Sequence, residues 1–139
     1  MKTFNFYFLA FTLLAFTACK KQSQTSSFEK QLLGKWQYTG QGGGISGKYY
    51  PADPAVKTVL EFRNNQTFVR TENDQPVDQG PYELTSAKSI YTGKEDHAIR
   101  FDVTGVSPNR VCIISIRKDT LNIADNAYDG FTSSYIRIK

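Results

Sequence analysis

Cysteine, histidine, tryptophan and methionine are nearly absent from this chain. Its 139 residues hold two cysteines, one histidine, one tryptophan and a single methionine at the first position. Two cysteines cannot form the disulfide framework that holds many small exported domains together. One histidine, His97, supplies one imidazole where a metal centre needs several converging ligands, and it has no thiol or carboxylate at motif spacing for nucleophilic or acid–base chemistry. Charge is also unblocked. Seventeen Lys and Arg stand against 13 Asp and Glu, a formal +4, and they are scattered, which reads as a solvated surface and argues against nucleic acid as a partner. No apolar run reaches membrane-spanning length. The longest, Phe4 to Ala18, is about 15 residues where a spanning helix needs roughly 20.

That run has a different meaning. Lys2, the uncharged stretch and the small residues before Cys19 describe a secretory signal over residues 1–18. The boundary Phe16-Thr17-Ala18-Cys19 resembles the bacterial lipoprotein box, with Phe16 where leucine is usual. The resemblance implies that Cys19 receives a diacylglyceryl group and becomes a membrane anchor by its acyl chains, palmitate among them. Residues 19–27 then form a polar tether, and 28–139 a single domain with room for one core. Lys20 stands where many inner-membrane lipoproteins carry aspartate, so the expected location is the outer membrane of a bacterial envelope. With Cys19 assigned, Cys112 lies in the apolar run Val111–Ile116 without a partner and reads as a small buried hydrophobe.

Ser26 and Glu29 have capping-box spacing, and Phe28, Leu32 and Leu33 would line one face of a short helix that Gly34 ends. From Trp36 onward only short alternating runs recur: Trp36–Gly40, Ile45–Tyr50, Val56–Phe62, Thr67–Thr71, Gly80–Thr85, Ser89–Thr92, Ala98–Thr104, Val111–Arg117, Leu121–Ala124 and Thr132–Ile138. The segment Glu72–Asp78 reads as a loop. Strands at this spacing predict an all-β meander, closed into a barrel or packed as a sandwich. A three-residue turn at Asn64-Asn65-Gln66 would put Phe62 and Phe68 on one face.

Residues 42–50, GGGISGKYY, match the letters of two nucleotide-binding signatures. A phosphate loop needs a helix directly after the lysine, and Pro51 and Pro54 forbid one. The stretch Gly40–Tyr50 is therefore expected to be a mobile, glycine-softened rim, with no nucleotide bound. His97 reads as an exposed turn residue, and Asp125–Gly130 as a turn that lacks the ligand pattern of a calcium loop.

Leu33-Gly34-Lys35-Trp36 resembles the first strand of lipocalin-like proteins, where a G-x-W motif follows a short N-terminal helix. The runs Leu60–Phe68, Gly80–Leu84 and Tyr135–Ile138 extend the likeness over the whole domain. The resemblance implies an eight-stranded antiparallel up-and-down barrel, closed near Gly34, Trp36 and Arg137, with Arg137 across the tryptophan ring. Similar domains occur as small lipoproteins of Gram-negative envelopes, those of Bacteroidetes type among them. No catalytic residue, metal or cofactor is expected, and a monomer is. Two readings of function remain open. In one, the barrel holds a small hydrophobic ligand among Tyr38, Tyr49, Leu60, Phe62, Phe68, Tyr82 and Phe101. In the other, the barrel is filled by side chains and its loops contact another envelope protein.

Overall fold

A computed structural model describes residues 27–102 and 110–139. The expectations placed on the signal, on Cys19, on the tether up to Ser26, and on Val103 and Thr104 lie outside the described residues. A short helix, α1, covers residues 27–32. Among the described residues nine strands follow: β1 Gly34–Gly43, β2 Lys48–Pro51, β3 Thr58–Phe62, β4 Thr67–Glu72, β5 Gln75–Lys88, β6 Glu95–Phe101, β7 Val111–Arg117, β8 Thr120–Asp125 and β9 Phe131–Arg137. Every pairing is antiparallel, and β1 closes the sheet by pairing β3 on one edge and β9 on the other. Eight strands form the closed wall. The ninth, β2, shares the β3 edge of β1 and occupies its upper half, from Gly40↔Pro51 to Gly43↔Lys48. Together β2 and β3 act as one stave broken between Pro51 and Thr58.

Side chains of paired residues share a face, so the register sorts the wall into inside and outside. Trp36, Leu60, Phe62, Phe68, Tyr82, Ile99, Ile114 and Leu121 all face inward and are buried. Phe62 pairs directly with Phe68, as the three-residue turn requires. The turn closes with the Arg63 N–H on the Thr67 carbonyl at 2.9 Å, and Gln66 sits at φ 58°. Helix α1 plugs the lower end with Phe28 and the fully buried Leu32. Among the described residues β6 and β7 share the pairs Ala98↔Ile113, Ile99↔Cys112 and Arg100↔Val111.

Three segments differ from the sequence expectation. Gly40–Tyr50 is a hairpin, with Gly40–Gly43 continuing β1, a turn over residues 44–47, and β2 returning. Gly40 makes this possible: its φ is +144°, and an added Cβ would meet the Tyr50 carbonyl oxygen at 2.5 Å. Glu72–Asp78 is mostly strand, because Asn73 and Asp74 turn the chain in two residues with φ 49° and 64°, the pair of positive values a type I′ hairpin needs. Pro76 fits inside β5 because the β4–β5 register slips beside it, at Arg70/Thr71. Ser89–Thr92 is turn, not strand, and Ser89 is buried there with its Oγ accepting from the Tyr91 N–H at 3.2 Å.

Candidate functional site

The lower end of the barrel is sealed by contacts centred on Trp36. Its ring has no exposed surface, its Nε1–H donates to the Leu32 carbonyl at 2.8 Å, and the Arg137 guanidinium lies 4.0 Å from the ring centroid. Arg137 also donates to the Leu33 carbonyl at 2.9 Å and to the Gln31 carbonyl. One cation thus stacks on the best π-face and satisfies carbonyls at the end of α1. Gly34 leaves room for this arrangement. It adopts φ +113°, and a Cβ there would stand 3.2 Å from Arg137 Nη1. Above this floor Phe62 and Tyr82 meet edge to face at 5.1 Å, and the Tyr82 hydroxyl points to the Arg63 carbonyl at 3.4 Å.

The upper half of the interior is open. A cavity of about 350 Å³ lies there, at the small end of the range for ligand pockets. Leu60, Phe68, Phe101 and Ile123 form its apolar wall, with Phe68 and Phe101 packed edge to face at 4.9 Å. Its remaining surface is polar. Arg70 from β4 stands 3.9 Å from Asp78 on β5 and 3.1 Å from Glu72. Across the cavity Arg110 pairs with Asp125 at the end of β8. Asp125 also accepts from the Phe131 N–H at 3.1 Å and lies 3.9 Å from Cys112 Sγ. Each arginine thus has its own aspartate, so these two pairs add no net charge to the cavity.

Titration behaviour follows from this mixture. Burial pushes the Cys112 thiol up, and the Asp125 carboxylate adds to the effect, so the thiol resists ionisation. Tyr135, which faces Tyr38 at a ring distance of 5.4 Å, is raised from 10.0 to about 12, chiefly by burial. The Asp125 hydrogen bond stabilises the charged form of Arg110.

Of the seven residues expected to meet a ligand, Leu60, Phe68 and Phe101 line this cavity. Tyr38 faces inward and packs on Tyr135, while Phe62 and Tyr82 belong to the filled layer beneath. Tyr49 is elsewhere. It pairs with Gly42 on the outer face and donates its hydroxyl to the Thr39 carbonyl at 2.9 Å. Its neighbour Tyr50 is the one turned toward the mouth, 6.4 Å from Phe131. Sequence reasoning missed Arg70, Asp78, Arg110, Asp125, Ser133 and Tyr135. Parity held part of the signal: two steps from Phe68 is Arg70, two from Ile123 is Asp125, and two and four back from Arg137 are Tyr135 and Ser133.

The chain after Gly47 and Lys48 is strand, so no helix N-terminus faces the glycine turn. His97 lies within β6, exposed, with its ring stacked on Phe28 at 4.2 Å. Among the described residues no group of three or more His, Cys, Asp or Glu is placed to hold a metal ion. No helix among them is long and apolar enough to cross a membrane. No protein-family model matches the chain, and neither a characterised protein nor a solved structure matches it. The barrel itself, eight antiparallel strands closed behind a short N-terminal helix, is consistent with the lipocalin-like proteins.

Proposed function

We propose that the protein is a carrier or sensor of one small, largely apolar molecule, held in the upper half of the barrel and presented from a bacterial envelope. The observation that carries the reading is the cavity of about 350 Å³ with one wall of Leu60, Phe68, Phe101 and Ile123. Contacts of this type favour a ligand by removing apolar surface from water. The paired charges Arg70–Asp78 and Arg110–Asp125 offer a polar end of the molecule both donors and acceptors. A compact amphipath therefore suits the volume better than a long acyl chain. The competing reading, a barrel filled by side chains, draws its support from the buried layer around Trp36, Phe62 and Leu121.

In this reading Cys19 carries the lipid, the outer membrane holds the anchor, the protein acts as a monomer, and its role is binding without a reaction. Helix α1 closes the lower end, so a tether entering through it would leave the mouth facing away from the bilayer.

The test is titration of the purified protein with a fluorescent apolar dye and a short fluorescent fatty acid, against a Ser133→Phe variant. Ser133 lines the cavity, and a phenyl ring there would occupy it. Saturable binding by the parent, lost in Ser133→Phe at unchanged melting temperature, supports the reading. Absence of binding by the parent, or equal binding by both, refutes it.

A further inference from the structure

The outer wall carries a second concavity that the barrel interior does not explain. On the face where β1 meets β2 and β9, a groove of about 410 Å³ is lined by Gly42, Gly43, Gly44, Gly47, Gly130, Thr132, Ser134 and three tyrosines. Tyr49 comes from β2, Tyr91 from the β5–β6 turn and Tyr128 from the turn before β9. All three are well exposed, at 56%, 53% and 92%.

Two of these rings are fixed with a face bare. Tyr49 lies along the β1 glycines with its hydroxyl on the Thr39 carbonyl at 2.9 Å, and Tyr91 donates to the Asp125 carbonyl at 2.7 Å. Their polar tips are satisfied by backbone, so holding each ring in place costs little further entropy when a ligand arrives. Gly42 is the informative residue beneath them. Gly40, Gly43 and Gly44 adopt positive φ, and at each a Cβ would approach another atom within 3.0 Å. Gly42 has no positive φ, and its Cβ would meet Tyr49 at 3.6 Å, an ordinary contact. The fold has no need of glycine at 42. What its missing side chain does is keep the floor of the groove clear.

The chemistry of the lining selects the occupant. In a chain with 17 basic and 13 acidic residues, the described residues that line the groove include none of either, only glycine, tyrosine, threonine and serine. A phosphate, a nucleic acid or a charged peptide would find no counter-charge there. A sugar ring is itself amphipathic, with C–H faces that stack on aromatic rings and hydroxyls around its edge that bond to hydroxyl and backbone groups. We propose that this outer groove binds a neutral oligosaccharide, its rings stacked on Tyr49, Tyr91 and Tyr128 and its hydroxyls met by Thr132 and the glycine backbone.

The experiment is calorimetric titration of the purified protein with neutral hexasaccharides of different linkage: maltohexaose, cellohexaose, xylohexaose and chitohexaose. Variants Tyr128→Ala and Gly42→Val are compared with the parent. Tyr128 has almost no contact to lose, so its removal reads the ligand rather than the fold. At least one sugar is expected to bind saturably, with Tyr128→Ala weaker by about tenfold, the scale of one lost aromatic contact, and Gly42→Val without measurable binding at an unchanged melting temperature. Ser133→Phe, inside the barrel, should leave sugar binding intact. No saturable heat from any of the four up to about 10 mM, beyond the range of weak binding, overturns the proposal. So does binding that survives Tyr128→Ala undiminished, which remains decisive even if Gly42→Val fails to fold. Preference for a neutral extended peptide over every sugar would equally replace it.

Discussion

Tyr135 shows how one residue ties the cavity to the stability of the wall. Its ring packs on Tyr38 and its hydroxyl lies among Ser133, Arg70 and Cys112. Burial holds its pKa near 12 in the fold, against the ordinary 10.0 of an unfolded chain. Between those values the unfolded chain loses the proton first, so ionisation favours unfolding. The stabilising term is whole below pH 10 and is lost as pH rises through about 12. That difference corresponds to a contribution on the order of 3 kcal/mol. Urea titrations at pH 8, 10 and 11.5 should show the parent weakening between pH 10 and 11.5 and Tyr135→Phe weakening less. Equal alkaline loss in both would place the titrating group elsewhere. Charged residues inside the barrel were the part least legible from sequence. Arg70 reads as a solvated strand residue until Asp78 is known to face it, and that pairing belongs to a register that no single strand contains.

At the scale of elements, hairpins were legible where their turns announced themselves. Asn64-Asn65-Gln66 fixed both the β3–β4 turn and the shared face of Phe62 and Phe68. Trp36 and Arg137 met as the lipocalin-like resemblance implied, the guanidinium lying 4.0 Å from the ring centroid. The β1–β2 hairpin stayed hidden because alternation is carried by side chains, and Gly40 to Gly44 has one, at Gln41. Gly40 and Gly42 lie against Tyr49, and Gly43 and Gly44 against Phe131. Ser89–Thr92 misled in the opposite way: a residue sequence of strand formers is held as a turn by the buried Ser89 hydroxyl and by Asn126, whose Oδ1 accepts from the Ile90 N–H at 2.9 Å. The β3–β4 turn retains a strained position. Gln66 at φ 58° occupies the left-handed region, which disfavours a side chain by roughly 1–2 kcal/mol. Gln66→Gly removes that penalty while adding some backbone freedom to the unfolded chain. A net gain of up to about 1 kcal/mol in chemical denaturation is expected, and a loss would mean that the Gln66 side chain contributes contacts.

At the scale of the whole molecule, the pairing pattern is nearly all local. From β3 to β9 each strand pairs with the next in sequence, β3 pairs with β1 across the β2 hairpin, and one long-range union, β1 with β9, completes the ring. That union spans six or more residue pairs on each strand, from Trp36↔Arg137 to Gly43↔Phe131, with one irregularity near Thr39. It extends past the strands to the Ile138 N–H on the Lys35 carbonyl at 2.9 Å and to the Arg137 guanidinium over Trp36 at 4.0 Å.

The same clasp means that the ring of strands has no intrinsic beginning. Arg137 reaches the carbonyls of Gln31 and Leu33 at the end of α1, and a linker from Lys139 to Ser27 would convert the domain into a continuous loop. Such a loop admits a cut elsewhere, and the tip between Ile45 and Ser46 is the natural place, since Ile45 is 93% exposed and Gly47 has open space around it. A circular permutant joined from Lys139 to Ser27 by a short Gly/Ser linker, and opened between Ile45 and Ser46, should fold to the same barrel, because exposed loop tips tolerate new ends best. Its near-ultraviolet circular dichroism, which reports the packing of Trp36, should overlay that of the parent domain. A permutant without that signal would show that the clasp does not form once β9 is joined to α1.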